Sequence, residues 1–498
     1  MYFLLGKRPG HVADRGFGQA SCGLGLSPTE ELAKKLKVLS FLPHVAAVGG
    51  KVVPLHPSVM DPGFYNGSQD YKLAPTLQGC LAKVMPRPNL RPIKVALVDL
   101  TKDPKQPEFA GSRDHKAQVF VASVAKLAVM LAAIQLRADL RFAWQMKRGN
   151  TLDELFARLR DDWAATQADG APAPFTRGLT LRGKRVLAFG GLVGIDKVSR
   201  SPRLECIFRM LPPGAFPIEF SSTALSAAGF DRLRRIVDEV LMKKEREAKE
   251  AAEEEVMAAG NPAARAAAQR KLAEAKRSVE EAKRTTQPNA MKEFDALGFW
   301  ERLGISTAGA ADYAAASVIH DVGYLYIAST LIQSGLFDPA RGGGLWLGAN
   351  YTGGFWSNAP GGGREISATA GSLAAFMTLI AQRRLVSPEA SGVMHFIMNK
   401  VPTVPFPGYD SFFKGELLRL GGLKKLLSKV GLAGGADECA YVEREVSNGQ
   451  GGKKLLRYVA VGLRAVRVRH LEELIVELDK CILANNGLRP EHGGHPPP

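Results

Sequence analysis

Apolar and polar positions alternate in recognisable patterns at two places in the chain, with a long stretch of mixed character between them. KVALVDLT, residues 94–101, is a mostly apolar run closed by a polar turn, as in a buried strand. Ahead of it, the spacing over 74–84 predicts a helix that gives way to Pro86 and Pro88. Beyond it, an extended run over 117–121 feeds directly into an apolar helix. The segment VFVASVAKLAVMLAAIQL, residues 119–136, approaches bilayer length but carries Lys126 in its middle, so it reads as a buried helix and not a membrane span. Farther on, 370–384 reads as a helix, 440–445 and 456–465 as strands, and 470–485 as a closing helix.

The remaining stretches read differently. Residues 1–73 are rich in Gly, Pro and His and form an irregular extension, with one helix over 28–39 opened by Ser27 as its cap. Residues 142–230 form a mixed insert whose glycine clusters, at 189–194 and 211–217, lack the spacing of a nucleotide loop and mark ordinary turns. From Asp231 to Lys283 the chain is dense in Ala, Glu, Lys and Arg, broken once at Gly260-Asn261-Pro262. Glycine ends one helix and proline starts the next, which predicts an antiparallel helical hairpin within 231–292, with arms of roughly 30 to 40 Å. Such a hairpin is either a solvated insertion or an arm for a protein partner or for self-association. A disordered tail is expected at 487–498, and its two histidines have no third ligand nearby. Two segments, 74–141 and 293–486, are then left to build one folded domain.

A length of 498 residues fits more than one folded unit, and 46% hydrophobic with 23% charged residues excludes a chain disordered throughout. The formal charge of +17 favours anionic partners. Nucleic acid is not the expected one, because the basic residues are dispersed, aromatics make up 8%, and no nucleic-acid motif occurs. Cys22, Cys80, Cys206, Cys439 and Cys481 form no close pair and no ligand spacing, so neither a disulfide framework nor a metal site is predicted, and no cofactor is implied. The opening MYFLLGKRPG has four apolar residues before Gly6, too few for a secretory signal, which reads as cytoplasmic.

Candidate chemistry lies at the start of the apolar helix. Ser123 and Lys126 stand three apart, so one helical turn sets hydroxyl and amine on the same face. A lysine in apolar surroundings loses hydration, its pKa falls, and it becomes able to take the serine proton. Ser411 and Lys414 repeat the spacing without the surroundings that would bury a lysine.

The context of the first pair resembles the serine β-lactamase and penicillin-binding protein superfamily, and within it the class A β-lactamase-like branch. The likeness rests on a strand, a return strand and then ASVAKLAVMLAAIQLR, with Lys429-Val430-Gly431 far downstream before a glycine turn and a strand. ATAGSLAAFMTLIAQRRLVSPEASGVM (368–394), CAYVEREV and LRYVAVGLRA follow in the order the family shows. The resemblance implies an α+β fold: an antiparallel sheet flanked by helices plus an all-α subdomain, here with an inserted helical hairpin. It implies Ser123 as nucleophile and Lys126 as base. Lys429 would anchor an anionic group, Gly431 would permit close backbone approach, and the N–H groups of Ser123 and Leu432 would form the oxyanion hole. Small-molecule or peptide-like substrates and a periplasmic or extracytoplasmic location follow from the same resemblance.

Departures from the family pattern are equally specific. Where the family carries S-D-N, this chain reads Ala310-Ala311-Asp312, which keeps an acceptor for Lys126, removes a donor, and adds a charge that pushes the lysine pKa up. Val430 replaces the hydroxyl residue of the third motif. No glutamate occurs between Phe337 and Arg364 to activate a deacylating water. Asn350, Tyr351, Ser357 and Asn358 are polar candidates for the pocket wall, while Trp346, Tyr351 and Trp356 either pack on a ligand or anchor the loop. Two functions remain: a slow acyl-serine hydrolase or acyltransferase, or an inactive relative serving as a binding scaffold through its hairpin.

Overall fold

The computed structural model describes residues 72–145, 227–240, 242–295, most of 297–352 and 365–401, and 410–448 and 451–488, with short segments at 46–48, 51–53, 180–181 and 184–185. The helix expected over 28–39, the turns at 189–194 and 211–217, and Ala310, Ala311, Trp356, Ser357 and Asn358 lie outside the described residues.

The fold is α+β, an antiparallel sheet flanked by helices. Six strands form the main sheet: β1 (Lys72–Leu73), β2 (Lys94–Asp99), β3 (Glu108–Gly111), β4 (Leu423–Leu432), β5 (Ala436–Ser447) and β6 (Lys453–Ala465), in the order β4-β5-β6-β2-β3-β1. Neighbours run antiparallel except for the short outer pair of β1 with β3. The period of two along each strand sends alternate residues to opposite faces. Ala96, Val98, Cys439, Tyr441, Val459 and Val461 join one core cluster. Their neighbours Val95, Leu97, Ala440, Val442, Tyr458 and Ala460 join the other. The near-continuous apolar run of β2 is thus explained, since both of its faces are covered.

On the second face lie α1 (Pro75–Val84) and the closing helix Val468–Asn485. A Cβ at Gly462 of β6 would stand 2.8 Å from Leu471 and Leu474 side-chain carbons, so glycine is what lets this helix approach closely. One buried polar cluster here is mutually satisfied: Asp479 accepts from Arg444 Nε at 3.0 Å and from the Tyr458 hydroxyl at 2.9 Å. Cys80 of α1 and Cys481 of the closing helix form a disulfide. This corrects the expectation drawn from cysteine spacing, because the two are 401 residues apart in sequence and meet only once the fold packs α1 against the closing helix.

On the first face, Ala370–Ala381 packs across β2, β5 and β6, its residues buried almost throughout. Thr369 and Ser372 close its start reciprocally, each side chain accepting from the other's backbone N–H. In the same core lies α2 (Lys126–Gln145), described with its side chains as far as Arg137 and packed against the helices Phe299–Ala308 and Asp312–Val322. The return strand differs from expectation: β2 pairs with Glu108–Gly111, whereas Val119–Phe120 pairs with Ile366–Ala368 in a separate small sheet. Hydrophobicity alone did not separate these two short runs.

The charged segment also breaks twice. Ala227–Val240 precedes Lys243–Ala258, with Met242 between them in a left-handed conformation, φ 48°. Ile236, Val237, Val240 and Met242 are buried, so the chain turns where its anchoring apolar face ends and the polar helix begins. The Val240 carbonyl, left open by that end, accepts from Gln287 Nε2 at 2.9 Å. Pro262–Thr285 then lies against Lys243–Ala258, held by a Lys271–Glu255 ion pair at 2.8 Å. Asn261 caps it, its side-chain oxygen accepting from Ala264 N at 2.8 Å. At about 1.5 Å per residue the second helix spans about 36 Å, and the first only about 24 Å.

Behind β4 a carboxylate is buried, and the hydrogen bonds it accepts come from hydroxyls and backbone. Glu438 accepts from the Ser411 and Ser428 hydroxyls and from the Phe413 N–H, and burial pushes its pKa up to about 7. A raised carboxyl pKa favours the folded state below the unfolded value, and that contribution is lost as pH rises through about 7. Relative to Glu438→Gln, the wild type should therefore lose on the order of 3 kcal/mol between pH 4.5 and 7, read from urea unfolding at each pH. Cys80→Ser should lower stability by about 2 to 5 kcal/mol, and reductant should bring the wild type to the same midpoint.

Candidate functional site

Ser123 sits in a 3-10 turn, Ala122–Ala125, that runs into α2. The turn is strained: Ala122, immediately before the serine, has φ 41°, a region non-glycine residues rarely occupy and surrounding structure must enforce. Its enclosure is visible at Gly431, the penultimate residue of β4. A Cβ there would stand 2.8 Å from the Val121 carbonyl oxygen and 3.3 Å from Ser123 N, so only glycine lets the strand end lie against the serine turn. Leu432, the next residue, ends the strand and is exposed.

Lys126 is completely buried, with Val124, Ala125 and Leu127 buried around it. Its Nζ donates to Asp312 Oδ1 at 2.8 Å and stands 4.8 Å from the centre of the Tyr351 ring. Asp312 opens the helix Asp312–Val322, where the helix dipole favours a negative charge, and its side chain is 43% exposed. Sequence reasoning expected Asp312 to raise the lysine pKa, and its charge and hydrogen bond do push that way. Burial is the larger effect, because the carboxylate is screened by water while the ammonium has none, and the Lys126 pKa is lowered overall.

Lys429 is also buried, and Nζ donates to the Val430 carbonyl at 2.9 Å. Burial pushes its pKa well down, and Lys126 and Lys400 reinforce the effect. Lys400, which no sequence signal marked, is buried and held at about 8 by the loss of hydration. The site is thus poor in negative charge for the number of lysines it encloses.

Ser123, Lys126, Asp312 and Gly431 come together around the serine turn, with Lys429 close enough to Lys126 to depress its own pKa and Leu432 next in chain. Ser411 and Lys414 do not form a second site: the Ser411 hydroxyl is taken up by Glu438, and Lys414 pairs with Asp410 at 2.9 Å. The two weighed roles for the loop aromatics separate. Trp346 is wholly buried against Phe337 with ring centroids 4.4 Å apart, an anchor, whereas Tyr351 reaches the Ser123 turn through its hydroxyl, 3.2 Å from the Ala122 carbonyl oxygen. Among the described residues no cluster of three His, Cys, Asp or Glu side chains is placed to hold a metal ion, and no helix is long and apolar enough to cross a membrane.

No protein-family model and no curated protein matches the chain. Among solved structures it is similar to a β-lactamase from Sphaerobacter thermophilus, at 12% identity, covering 83% of this chain and 98% of that one, with a TM-score of 0.35.

A methyl group at Gly431 has nowhere to go but into the Val121 carbonyl. Gly431→Ala should destabilise the protein by about 1 to 3 kcal/mol and separate the β4 end from the serine turn, measured by thermal unfolding and by hydrogen exchange over 121–125.

Proposed function

We propose that the chain is a β-lactamase-like serine hydrolase or acyltransferase that works through an acyl-Ser123 intermediate. The observation that carries this reading is a fully buried lysine with a lowered pKa one helical turn from a serine in a strained, half-buried turn. In the neutral form Lys126 takes the Ser123 proton as Oγ attacks the acyl carbon. The carbonyl electron pair moves to oxygen, where the N–H groups of Ser123 and Leu432 would receive it. Collapse breaks the bond to the leaving nitrogen or oxygen, which receives from Lys126 the proton that Ser123 gave up.

Lys429 suits an anionic group on the substrate. Its charge is disfavoured in the empty site, and a substrate carboxylate would restore it, so binding and protonation reinforce one another. Amide or ester substrates of β-lactam or peptide type fit these demands. With no glutamate over 337–364, water activation is weak and the acyl-enzyme should persist. The Cys80–Cys481 disulfide supports an oxidising, extracytoplasmic setting for this activity.

A second reading is an inactive scaffold binding a protein partner, or a second copy, through the charged helices of 231–292. The bond between Lys126 and Asp312 favours it, since an ammonium held by a carboxylate is no base.

Intact-mass analysis after incubation with a fluorescent penicillin separates the two. A hydrolase gives one adduct that lasts for hours in the wild type and is absent in Ser123→Ala, whereas a folded wild type that takes up none is the scaffold. Asp312→Asn removes the influence that holds the lysine pKa up. Its acylation should therefore rise at lower pH than the wild type's, and an unshifted profile would rule out Lys126 as the base.

A further inference from the structure

We propose that Tyr351 is a positioning residue that aims the Ser123 backbone N–H, an inference resting on the reading of Ser123 as the acylated nucleophile. One peptide plane joins Ala122 to Ser123. In a trans peptide the C=O and N–H point in opposite directions from one rigid plane, so whatever fixes the Ala122 oxygen also fixes the Ser123 N–H. The Tyr351 hydroxyl donates to that oxygen at 3.2 Å. Ala122 holds φ 41°, a conformation its own preferences do not supply, so outside contacts determine the orientation of the plane.

Tyr351 is itself held in an unfavourable conformation, with φ 68° for a bulky side chain. The cause lies on either side of it. Asn350 is buried, and its Oδ1 accepts from Thr352 N at 3.0 Å, a side-chain turn that spans Tyr351 and fixes its backbone. A chain of contacts therefore runs from the Asn350 turn through the Tyr351 hydroxyl to the Ala122 oxygen and so to the Ser123 N–H. From the other side the Gly431 backbone closes on that same nitrogen. The two strained residues are the two partners of one hydrogen bond, an arrangement that orients a donor before any substrate arrives.

The Tyr351 ring has a separate part. Its face lies 4.8 Å from Lys126 Nζ and favours the charged amine, in company with Asp312 and against the repulsion of Lys429. Hydroxyl and ring are separable by substitution: Tyr351→Phe removes only the first, and Tyr351→Leu removes both.

The test uses the full chain labelled with 15N-serine, the Ser123 amide resonance being assigned by its loss in Ser123→Ala. Tyr351→Phe should move that resonance and speed its hydrogen exchange while leaving the thermal midpoint close to wild type. With the fluorescent penicillin it should slow acylation roughly tenfold without changing the concentration for half-saturation. Tyr351→Leu should in addition shift the acylation profile to lower pH. Should Tyr351→Leu fold poorly, Asn350→Ala, which keeps the hydroxyl but removes the turn beneath it, should reproduce the amide shift. An unmoved Ser123 amide in Tyr351→Phe overturns the inference whatever the acylation rates are. A moved amide with no adduct in the wild type upholds the contact and rejects the acyl-serine reading instead.

Discussion

An ammonium without water governs this molecule. Lys126 enters the core with the first turn of α2, and a fully desolvated lysine costs several kcal/mol unless it sheds its proton or finds a partner. The fold supplies one partner, Asp312, from a helix nearly two hundred residues away, and a ring face from Tyr351. Neither compensates fully, and the lysine pKa remains lowered. An apolar helix that needed only to pack would carry leucine there, so the lysine is a cost that the surrounding contacts must offset.

Around that lysine the structure places other features that local preference disfavours. Ala122 and Tyr351 adopt left-handed backbones, and Lys429 and Lys400 are buried with suppressed charge. Each is enclosed by the buried apolar residues of the sheet's first face, of the helix Ala370–Ala381 and of α2. The strained serine turn is the neighbour of β4, whose other face leans on the Ser411–Glu438–Ser428 cluster. Positioning near Ser123 thus draws on satisfied polar contacts on both sides of one strand.

Much of the domain was legible because its elements advertise themselves over six residues or more. The apolar run of β2, the helix after Thr369 and the closing helix all appear within a few residues of their expected ends. The Ser123–Lys126 spacing was legible because a helical turn is fixed locally, and the structure sets the two residues one turn apart at the start of α2. What escaped was set by distance along the chain. Cys80 with Cys481 has no local signature, nor does Lys400, whose burial depends on how β4 and its neighbours close over it. Two-residue strands carry too few positions for a period, so the run before Ser123 was matched to the wrong partner. Tyr351 was one aromatic among several in a glycine-rich loop, and only three-dimensional contact distinguishes it from Trp346.

The order of the sheet carries a further consequence, for how the chain is made. β2 lies between β3, which follows it at once, and β6, which comes far later: the Thr101 hydroxyl and the Arg457 carbonyl that meet at their junction are 356 residues apart. Emerging from a ribosome at about 5 to 20 residues per second, an apolar strand built for two neighbours would wait tens of seconds with one edge open. The apolar helix carrying Lys126 is synthesised in the same interval, before most of its cover exists. The sheet thus cannot close its central edge until nearly all of the domain has been synthesised, which leaves β2 exposed to wrong pairing for that interval.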